Sequence, residues 1–270
     1  MTDEEKYFFD LCGYIIVRDA LSPIEVQQLN AAIDAHEHLL QEYHETLAGG
    51  AKNLKGECSR RGFGGLLTLE SPWCDAFRSL LAHPRINPYL DVILGKGFRL
   101  DHTHSVIVQE KGCEGHILHG STGPAFDPNQ YYIVRDGRMH NGLSVVTWQT
   151  HDVNPGDGGF CLVPGSHKGN FSVPDGLRRN ELFKDLIKPM EMKAGDAVIF
   201  TEAVLHGTLP WTSVHPRRSI LARYTAANLS YVNYGHGKLL EEIGEQLTPD
   251  QRTVLEPAYH LRLQRPTIDV

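Results

Sequence analysis

The sequence predicts a mainly β fold, a sandwich or barrel, with helices gathered at the N-terminal end. From residue 98 to about residue 226, short alternating hydrophobic runs are separated by clusters rich in glycine and proline. Before residue 98, hydrophobic residues recur mostly at helical spacing. We therefore expect one domain with a helical part at about 1–97, a β core at about 98–228 and a helical tail.

The N-terminal part contains one short predicted strand and a clearly marked helix start. The strand covers residues 14–17. Ser22 can cap the helix, Pro23 suits its first position, and Glu25 completes a capping box. We expect this helix to continue to residue 40 or 43. Residues 49–66 show no clear periodicity and are predicted to form a long surface loop.

The β core is predicted from five alternating segments. They are residues 98–109, 143–153, 160–163, 190–200 and 217–226. In the tail, residues 238–246 have helical spacing, and Thr248 and Pro249 begin a further short helix.

Composition and charge exclude several classes of function. The 270 residues are 41% hydrophobic and 22% charged, which is ordinary for a globular protein. A net charge of -7 and the lack of a Lys/Arg-rich run argue against a nucleic-acid partner. No apolar segment approaches the roughly 18 residues of a membrane helix, and the first residues do not resemble a signal peptide. Five scattered cysteines indicate neither disulfides nor zinc, so we expect a soluble cytoplasmic protein.

Two histidines and one arginine stand where predicted strands meet loops. His119 ends an apolar run, His206 follows the run at 197–200, and Arg217 begins the last alternating segment. Iron binds imidazole nitrogens while keeping open positions, and a carboxylate co-substrate suits a planar guanidinium. The pattern therefore fits an iron site with an anionic co-substrate. With 15 histidines in the chain, His119 and His206 could equally be loop histidines.

Four short segments follow one another along the chain: F-D-x-x-G-Y at 9–14 with L-S-P at 21–23, D-G-G-F-C-L-V-P-G-S-H-K at 157–168, G-D-A-V-I-F at 195–200 with H-G-T at 206–208, and R-R-S at 217–219. Together and in this order they resemble the phytanoyl-CoA dioxygenase family, whose members are iron(II)- and 2-oxoglutarate-dependent oxygenases with a double-stranded β-helix (jelly roll).

The resemblance implies a site as well as a fold. Iron(II) is expected on His119 and His206. The far carboxylate of 2-oxoglutarate is expected on Arg217, helped by the Thr208 hydroxyl and bordered by Trp148. Trp148 would be ordinary core in most β proteins, but we favour a place in the cavity wall. No catalytic residue is expected beyond the metal centre.

The sequence departs from the family at one metal ligand. The family motif is His-x-Asp, but residue 121 is Ser121, and a neutral hydroxyl is a poor ligand for iron. Asp127, in the same loop, is our first candidate for a replacement carboxylate, and Asp152 and Glu114 are further candidates. Alternatively, water or an anion such as chloride takes the position, as in related iron halogenases, or the site no longer holds iron usefully.

Four of the remaining histidines are expected to pack or to make hydrogen bonds, namely His102, His104, His151 and His167. His116 is expected in the cavity wall or at the surface and not as a ligand. The expected function is an oxygenase that uses O₂ and 2-oxoglutarate to oxidise a C–H bond of a small organic molecule, releasing succinate and CO₂. The alternatives are an iron halogenase and a non-catalytic jelly roll that binds a small molecule. The sequence specifies neither the substrate nor the oligomeric state.

Overall fold

The computed structural model describes residues 1–43, 46–120, 125–128 and 130–270. The α-helices are α1 (Asp3–Cys12), α2 (Pro23–Ala35), α3 (Trp73–Arg78), α4 (Asn87–Leu94), α5 (Asp175–Arg178), α6 (Gly237–Ile243) and α7 (Pro249–Val254). The strands are β1 (Tyr14–Val17), β2 (Gln41–Glu42), β3 (Arg61–Phe63), β4 (Arg99–Gln109), β5 (His116–His119), β6 (Tyr132–Arg135), β7 (Arg138–Asn141), β8 (Ser144–Gln149), β9 (Gly159–Leu162), β10 (Lys188–Pro189), β11 (Ala197–Thr201), β12 (His206–Leu209) and β13 (Arg217–Thr225). Within these ranges, every helix is too short or too polar to cross a lipid bilayer.

Two antiparallel sheets form the core, as the predicted jelly roll requires. The large sheet has the strand order β1-β11-β8-β13-β4-β3-β2, and the small sheet has the order β10-β9-β12-β5. Val145, Val198 and Phe200 of the large sheet pack in one hydrophobic cluster with Phe160 and Leu162 of the small sheet. The sheets therefore face each other across a shared interior. Strands β6 and β7 form a separate hairpin.

Helices cover the outer face of the large sheet. Leu29 and Ile33 of α2 and Leu90 of α4 belong to one buried cluster with Ile220 of β13. Because side chains alternate along a strand, residues 220, 222 and 224 point towards the helices, while residues 217, 219 and 221 point into the interior between the sheets.

Trp148 lies on the outer face and not in the cavity wall. It stands opposite Ile220 in the pairing of β8 with β13, and both belong to the cluster beneath the helices. Its ring is fully buried and lies 5.7 Å from the ring of His104, centroid to centroid. The expected position of Trp148 beside the co-substrate is corrected by this geometry, because residues 145 and 147 occupy the inward positions of β8.

The N-terminal part agrees with the prediction at its start. Strand β1 is confirmed and pairs with β11 at the edge of the large sheet. The capping box of α2 is also confirmed, with the Glu25 N–H donating to Ser22 Oγ and the Ser22 N–H to Glu25 Oε2. The helix ends at Ala35, earlier than predicted, and a single 3₁₀ turn follows it.

The segment at 49–66 is more ordered than the predicted surface loop. Ala51 and Leu54 are buried, and β3 pairs with β4 in the large sheet. A strand of three residues is too short to show a period of two, so the sequence pattern does not reveal it. The five predicted core strands are confirmed, although the segment at 190–200 is reduced to β11 at its end.

The buried position of Trp148 predicts a stability effect. Trp148→Phe should leave a space beneath the helices and lower the free energy of unfolding by about 1–3 kcal/mol. Urea unfolding followed by circular dichroism measures this loss. Phe171→Ala is the control, because Phe171 is 87% exposed and its truncation should be nearly neutral. Equal stability of the Trp148→Phe variant and the parent would contradict the placement.

Candidate metal and co-substrate site

A cavity of about 140 Å³ lies between the two sheets and contains most of the predicted site. Its polar lining consists of Tyr43, Arg60, Ser105, His116, His119, Glu202, His206, Thr208, Arg217 and Arg223. Four predicted residues, His119, His206, Thr208 and Arg217, are thus brought together. A larger groove of about 620 Å³ lies beside α4 and His260, and none of the predicted site residues lines it.

The pairing of β5 with β12 places the two predicted iron ligands side by side. His119 stands directly opposite His206 in the antiparallel register. Directly opposed residues of antiparallel strands project from the same face, so both rings enter the cavity. Their ring centroids are 4.2 Å apart.

Both imidazoles leave Nε2 for a partner in the cavity. Nδ1 of His119 lies 3.0 Å from the carbonyl oxygen of Ile117, and Nδ1 of His206 lies 2.8 Å from that of Val204. A carbonyl only accepts, so each Nδ1 donates its proton to the backbone, and Nε2 is the ring nitrogen that is not used there. Burial, and then the neighbouring His206, lower the pKa of His119 to about 4, which keeps its ring neutral at neutral pH. This is the form of histidine that binds a metal ion.

Gly120 allows the turn before His206 to approach the end of β5. A Cβ atom on Gly120 would lie 2.6 Å from the carbonyl oxygen of Glu202 and 2.7 Å from that of Val204. Its φ of +82° is also one that side-chain-bearing residues rarely adopt. The absence of a side chain at Gly120 therefore keeps His119 and the turn at 202–205 in contact.

Glu202 also lines the cavity, although the sequence does not predict it there. Its carboxylate lies in the cavity, with Oε1 accepting a hydrogen bond of 3.1 Å from Arg223 Nε and Oε2 3.5 Å from Nε2 of His206. Burial raises the pKa of Glu202, but the charges of His206 and Arg223 lower it by more, so the carboxyl stays ionised. No sequence signal marks this residue, because it lies in a turn without periodicity.

Arg217 lies deep in the interior with part of its hydrogen-bonding capacity unused. Its Nη1 donates to Gln109 Oε1 at 2.8 Å, and its Nε is buried without a partner among the described residues. Burial, and then the nearby charge of Arg60, lower the pKa of Arg217 to about 10, so the guanidinium remains charged. Gly159 leaves room for it, since a Cβ there would lie 3.0 Å from Arg217 Cδ.

Further polar atoms around Arg217 are buried without partners among the described residues. They are Thr147 Oγ1, the side-chain amide of Gln149 and Ser219 Oγ. Ser219 shares the inward face of β13 with Arg217, and Gln149 stands directly opposite Ser219. Buried polar groups are normally hydrogen-bonded, so this part of the interior suits a guest rich in oxygen atoms.

The cavity carries an excess of positive charge. Three arginines, Arg60, Arg217 and Arg223, line it, against Glu202 as the one carboxylate among the described lining residues. Arg223 is paired with Glu202, which leaves the charges of Arg60 and Arg217 for a guest. Arg60 lies over the ring of Tyr43 at 4.5 Å. These surplus cations suit an anionic guest, such as 2-oxoglutarate.

The predicted replacement carboxylates lie elsewhere. Asp127 lines a neighbouring cavity with Tyr131 and His167 and is not among the residues around His119 and His206. Asp152 pairs with Lys193 at the surface. Glu114 accepts hydrogen bonds from the Leu47 N–H and the Thr46 hydroxyl. Ser121, where the sequence departs from the His-x-Asp pattern, lies outside the described residues.

The other histidines mostly have packing or hydrogen-bonding roles, as predicted. His104 is fully buried, His102 contacts Asp101, and His167 bonds the Asp10 carbonyl. His151 stacks on His215. His116 lines the cavity, one of the two positions predicted for it, and its ring lies 4.3 Å from that of His119, centroid to centroid.

Comparison with known proteins identifies the family. The profile described as Phytanoyl-CoA dioxygenase (PhyH) matches residues 9–219, most of the chain. The chain belongs to the phytanoyl-CoA dioxygenase family. Enzymes of this family depend on iron(II) and 2-oxoglutarate, so the chain is a non-haem iron 2-oxoglutarate-dependent dioxygenase. A search among curated protein sequences gives no match.

Solved structures show the same fold as this family member. HygX from Streptomyces hygroscopicus, with nickel and 2-oxoglutarate bound, is 19% identical, with a TM-score of 0.69 over 85% of this chain and 89% of that chain. The 2-oxoglutarate-dependent carbocyclase SnoK from nogalamycin biosynthesis is 18% identical, with a TM-score of 0.59 over 93% of this chain and 92% of that chain. At these identities the likeness establishes the fold.

The His119 and His206 cavity fits the iron and co-substrate that the family uses. Two imidazoles that use Nδ1 on the backbone and leave Nε2 for another partner suit iron(II), and the unpartnered donors around Arg217 suit a carboxylate. Within the described ranges, however, no three His, Cys, Asp or Glu side chains are already drawn into a metal-binding group. Binding of the metal would therefore have to draw its ligands together.

The contact at Gly120 gives a prediction. Gly120→Ala should lower the free energy of unfolding by about 1–2 kcal/mol through its positive φ and by about 1–3 kcal/mol more through the clash with two carbonyls. Gly137→Ala is the matched control, since Gly137 also has a positive φ (+70°) but no atom within 4 Å of an added Cβ. Chemical denaturation measures both. Equal losses in the two variants would contradict the close contact.

Proposed function

We propose that this dioxygenase hydroxylates a C–H bond of a small organic molecule, using O₂ and converting 2-oxoglutarate to succinate and CO₂. The observation that supports the proposal is the meeting of the His119–His206 pair with the buried Arg217 in one cavity. Metal ligands alone occur in many proteins. A pair of histidines beside a buried guanidinium with unused hydrogen-bond donors is the arrangement needed to hold iron and a dicarboxylate together.

In this proposal His119 and His206 hold iron(II) through Nε2. When bound there, iron(II) with 2-oxoglutarate would supply the oxidising power for cleavage of the C–H bond by O₂. The backbone carbonyls of Ile117 and Val204 fix each ring by accepting its Nδ1 proton. This second contact sets the direction of both Nε2 lone pairs before the metal binds.

Arg217 would anchor the far carboxylate of 2-oxoglutarate. Gln109 holds one terminal nitrogen of the guanidinium at 2.8 Å and so fixes the plane of the group. A planar guanidinium can donate two parallel hydrogen bonds to a carboxylate, which fixes orientation as well as charge. Thr208, on the same strand as His206, lines the cavity and would add a hydroxyl donor.

The apolar part of the cavity would hold the substrate and limit access of water. Val145, Phe160, Phe200 and Leu221 line it beside the two histidines. The same fold in HygX has been solved with hygromycin B bound, so it can receive a small organic molecule. The acidic chain has no obvious Gly-rich phosphate-binding loop, and this gives no support for a CoA ester in particular.

The second candidate function is an iron halogenase, which Ser121 favours. Loss of the Asp from the His-x-Asp pattern leaves a ligand position that chloride can take in related halogenases. The two functions differ in whether the iron site responds to chloride.

Anaerobic titration of the protein with iron(II) and 2-oxoglutarate tests the proposal. We expect a visible charge-transfer band that is insensitive to chloride in the parent and lost in His119→Ala and His206→Ala variants, because these remove nitrogen ligands. Lys193→Ala, at the surface salt bridge with Asp152, serves as the control. A band that shifts with chloride would favour the halogenase. No band would leave a binding protein as the better explanation.

Arg217→Lys should weaken 2-oxoglutarate binding by about tenfold or more, because lysine cannot reproduce the two-pronged contact. Calorimetric titration of the metal-loaded, oxygen-free protein measures the dissociation constant. Arg218→Lys is the matched control, since Arg218 pairs with Asp34 on the other side of β13. The assignment of Arg217 fails if its lysine variant binds 2-oxoglutarate like the parent.

A further inference from the structure

The Glu202 carboxylate faces the predicted metal position from the turn between β11 and β12. Glu202 precedes His206 by four residues, and its side chain is only 9% exposed. The turn is held by a hydrogen bond from the Val204 N–H to the Thr201 carbonyl and by one from the Glu202 N–H to the Leu143 carbonyl. The carboxylate is thus fixed at its base and does not point into solvent.

The two oxygens of Glu202 have different surroundings. Oε1 accepts from Arg223 Nε at 3.1 Å, whereas Oε2 lies 3.5 Å from Nε2 of His206. Because Nδ1 donates its proton to the Val204 carbonyl, Nε2 is the ring nitrogen left for another partner. The Glu202 oxygen and this nitrogen face each other at a distance longer than a normal hydrogen bond, and a metal cation bound by both atoms would bridge it.

We propose that Glu202 is the carboxylate ligand that completes the iron site with His119 and His206, in place of the Asp that the family has at the position of Ser121. The inference rests on the proposed function, since it assigns a further ligand to the same iron. Ligand atoms at about 2.1 Å from a metal stand roughly 3.0–3.6 Å apart for angles of about 90–120°. The separation of 3.5 Å between Oε2 and Nε2 falls in this range.

The spacing of the two histidines agrees with this arrangement. Ring centroids 4.2 Å apart, with each Nδ1 tied to its own backbone, leave the two Nε2 atoms as the free ends. Glu202, His119 and His206 line the same cavity, and the carbonyl oxygen of Glu202 approaches Gly120, whose missing side chain permits the contact. Binding of the metal would draw the three side chains together from these positions.

Arg223 would act as the positioning residue for this ligand. It occupies Oε1 and so leaves Oε2 as the oxygen available to a metal, which favours binding through one oxygen. It also offsets the cost of burying the carboxylate charge in the absence of metal. Residues that hydrogen-bond a metal ligand without touching the metal are common, and their removal changes metal affinity by about 10–100-fold.

The experiment compares the iron(II) affinities of the variants. Each protein is titrated with iron(II) in the absence of oxygen and at saturating 2-oxoglutarate, and binding is followed by the amplitude of the charge-transfer band. Glu202→Gln keeps the side-chain shape and an oxygen for Arg223 but removes the charge. It should weaken iron binding roughly 100-fold or more, which exceeds the usual effect of removing a residue that only hydrogen-bonds a ligand. Arg223→Gln should cost about tenfold. Glu110→Gln, at a half-exposed surface pair with Arg61, is the matched control and should behave like the parent.

Several outcomes would overturn the inference. It fails if Glu202→Gln binds iron like the parent, if Arg223→Gln costs as much as Glu202→Gln, or if Asp127→Asn causes the large loss instead. A parent that binds no iron would overturn the proposed function as well. A parent that binds iron with an unchanged Glu202→Gln variant would overturn only the ligand role.

Thermal unfolding without metal shows whether the variants fold. If Glu202→Gln fails to fold, Glu202→Asp replaces it, because aspartate keeps the charge but withdraws the oxygens by one methylene. An unchanged metal-free midpoint together with at least about tenfold weaker iron binding would support the ligand role. Unchanged iron binding in Glu202→Asp would overturn it.

Discussion

The antiparallel pairing of β12 with β5 and β9 is the constraint on which the site depends. It sets His206 opposite His119 and puts Thr208 beside Phe160. The single strand β12 therefore carries both a proposed iron ligand and the hydroxyl proposed to contact 2-oxoglutarate. A register shift of one residue would turn His206 away from the cavity. The pairing is fixed by hydrophobic packing on both sides of the small sheet, with Leu118 and Cys161 on one side and Phe160 and Leu162 on the other.

Electrostatics explains why the cavity can keep so many cations in a buried place. Arg223 is neutralised by Glu202, and Arg60 lies over an aromatic ring. Arg217 is held by an amide oxygen and has no carboxylate partner among the described residues. An uncompensated buried charge costs stability, and such charges are typical of functional sites, where a ligand supplies the counter-charge.

The sequence predicts the fold well, and it singles out two histidines that the structure places in one cavity, but it does not reveal every residue of that cavity. Alternation and turn clusters reveal the core strands, and the family resemblance singles out His119, His206 and Arg217. The face of Trp148 is hidden because all six residues of β8 are buried, which leaves no contrast between the two faces. Asp127 is close to His119 along the chain, whereas Glu202 is close only in space, through pairing between distant strands. Such long-range proximity has no local signal.

The distribution of site residues between the sheets has a consequence for how the enzyme can be tuned. The histidines belong to the small sheet, whereas Arg217 and Arg223 belong to the large one. Phe160 of the small sheet and Phe200 of the large one pack with ring centroids 4.8 Å apart, and Phe200 also contacts His206. Both rings line the cavity and belong to the hydrophobic cluster that joins the two sheets. A change of side-chain volume at either ring would therefore alter the size of the cavity without removing any of its polar side chains.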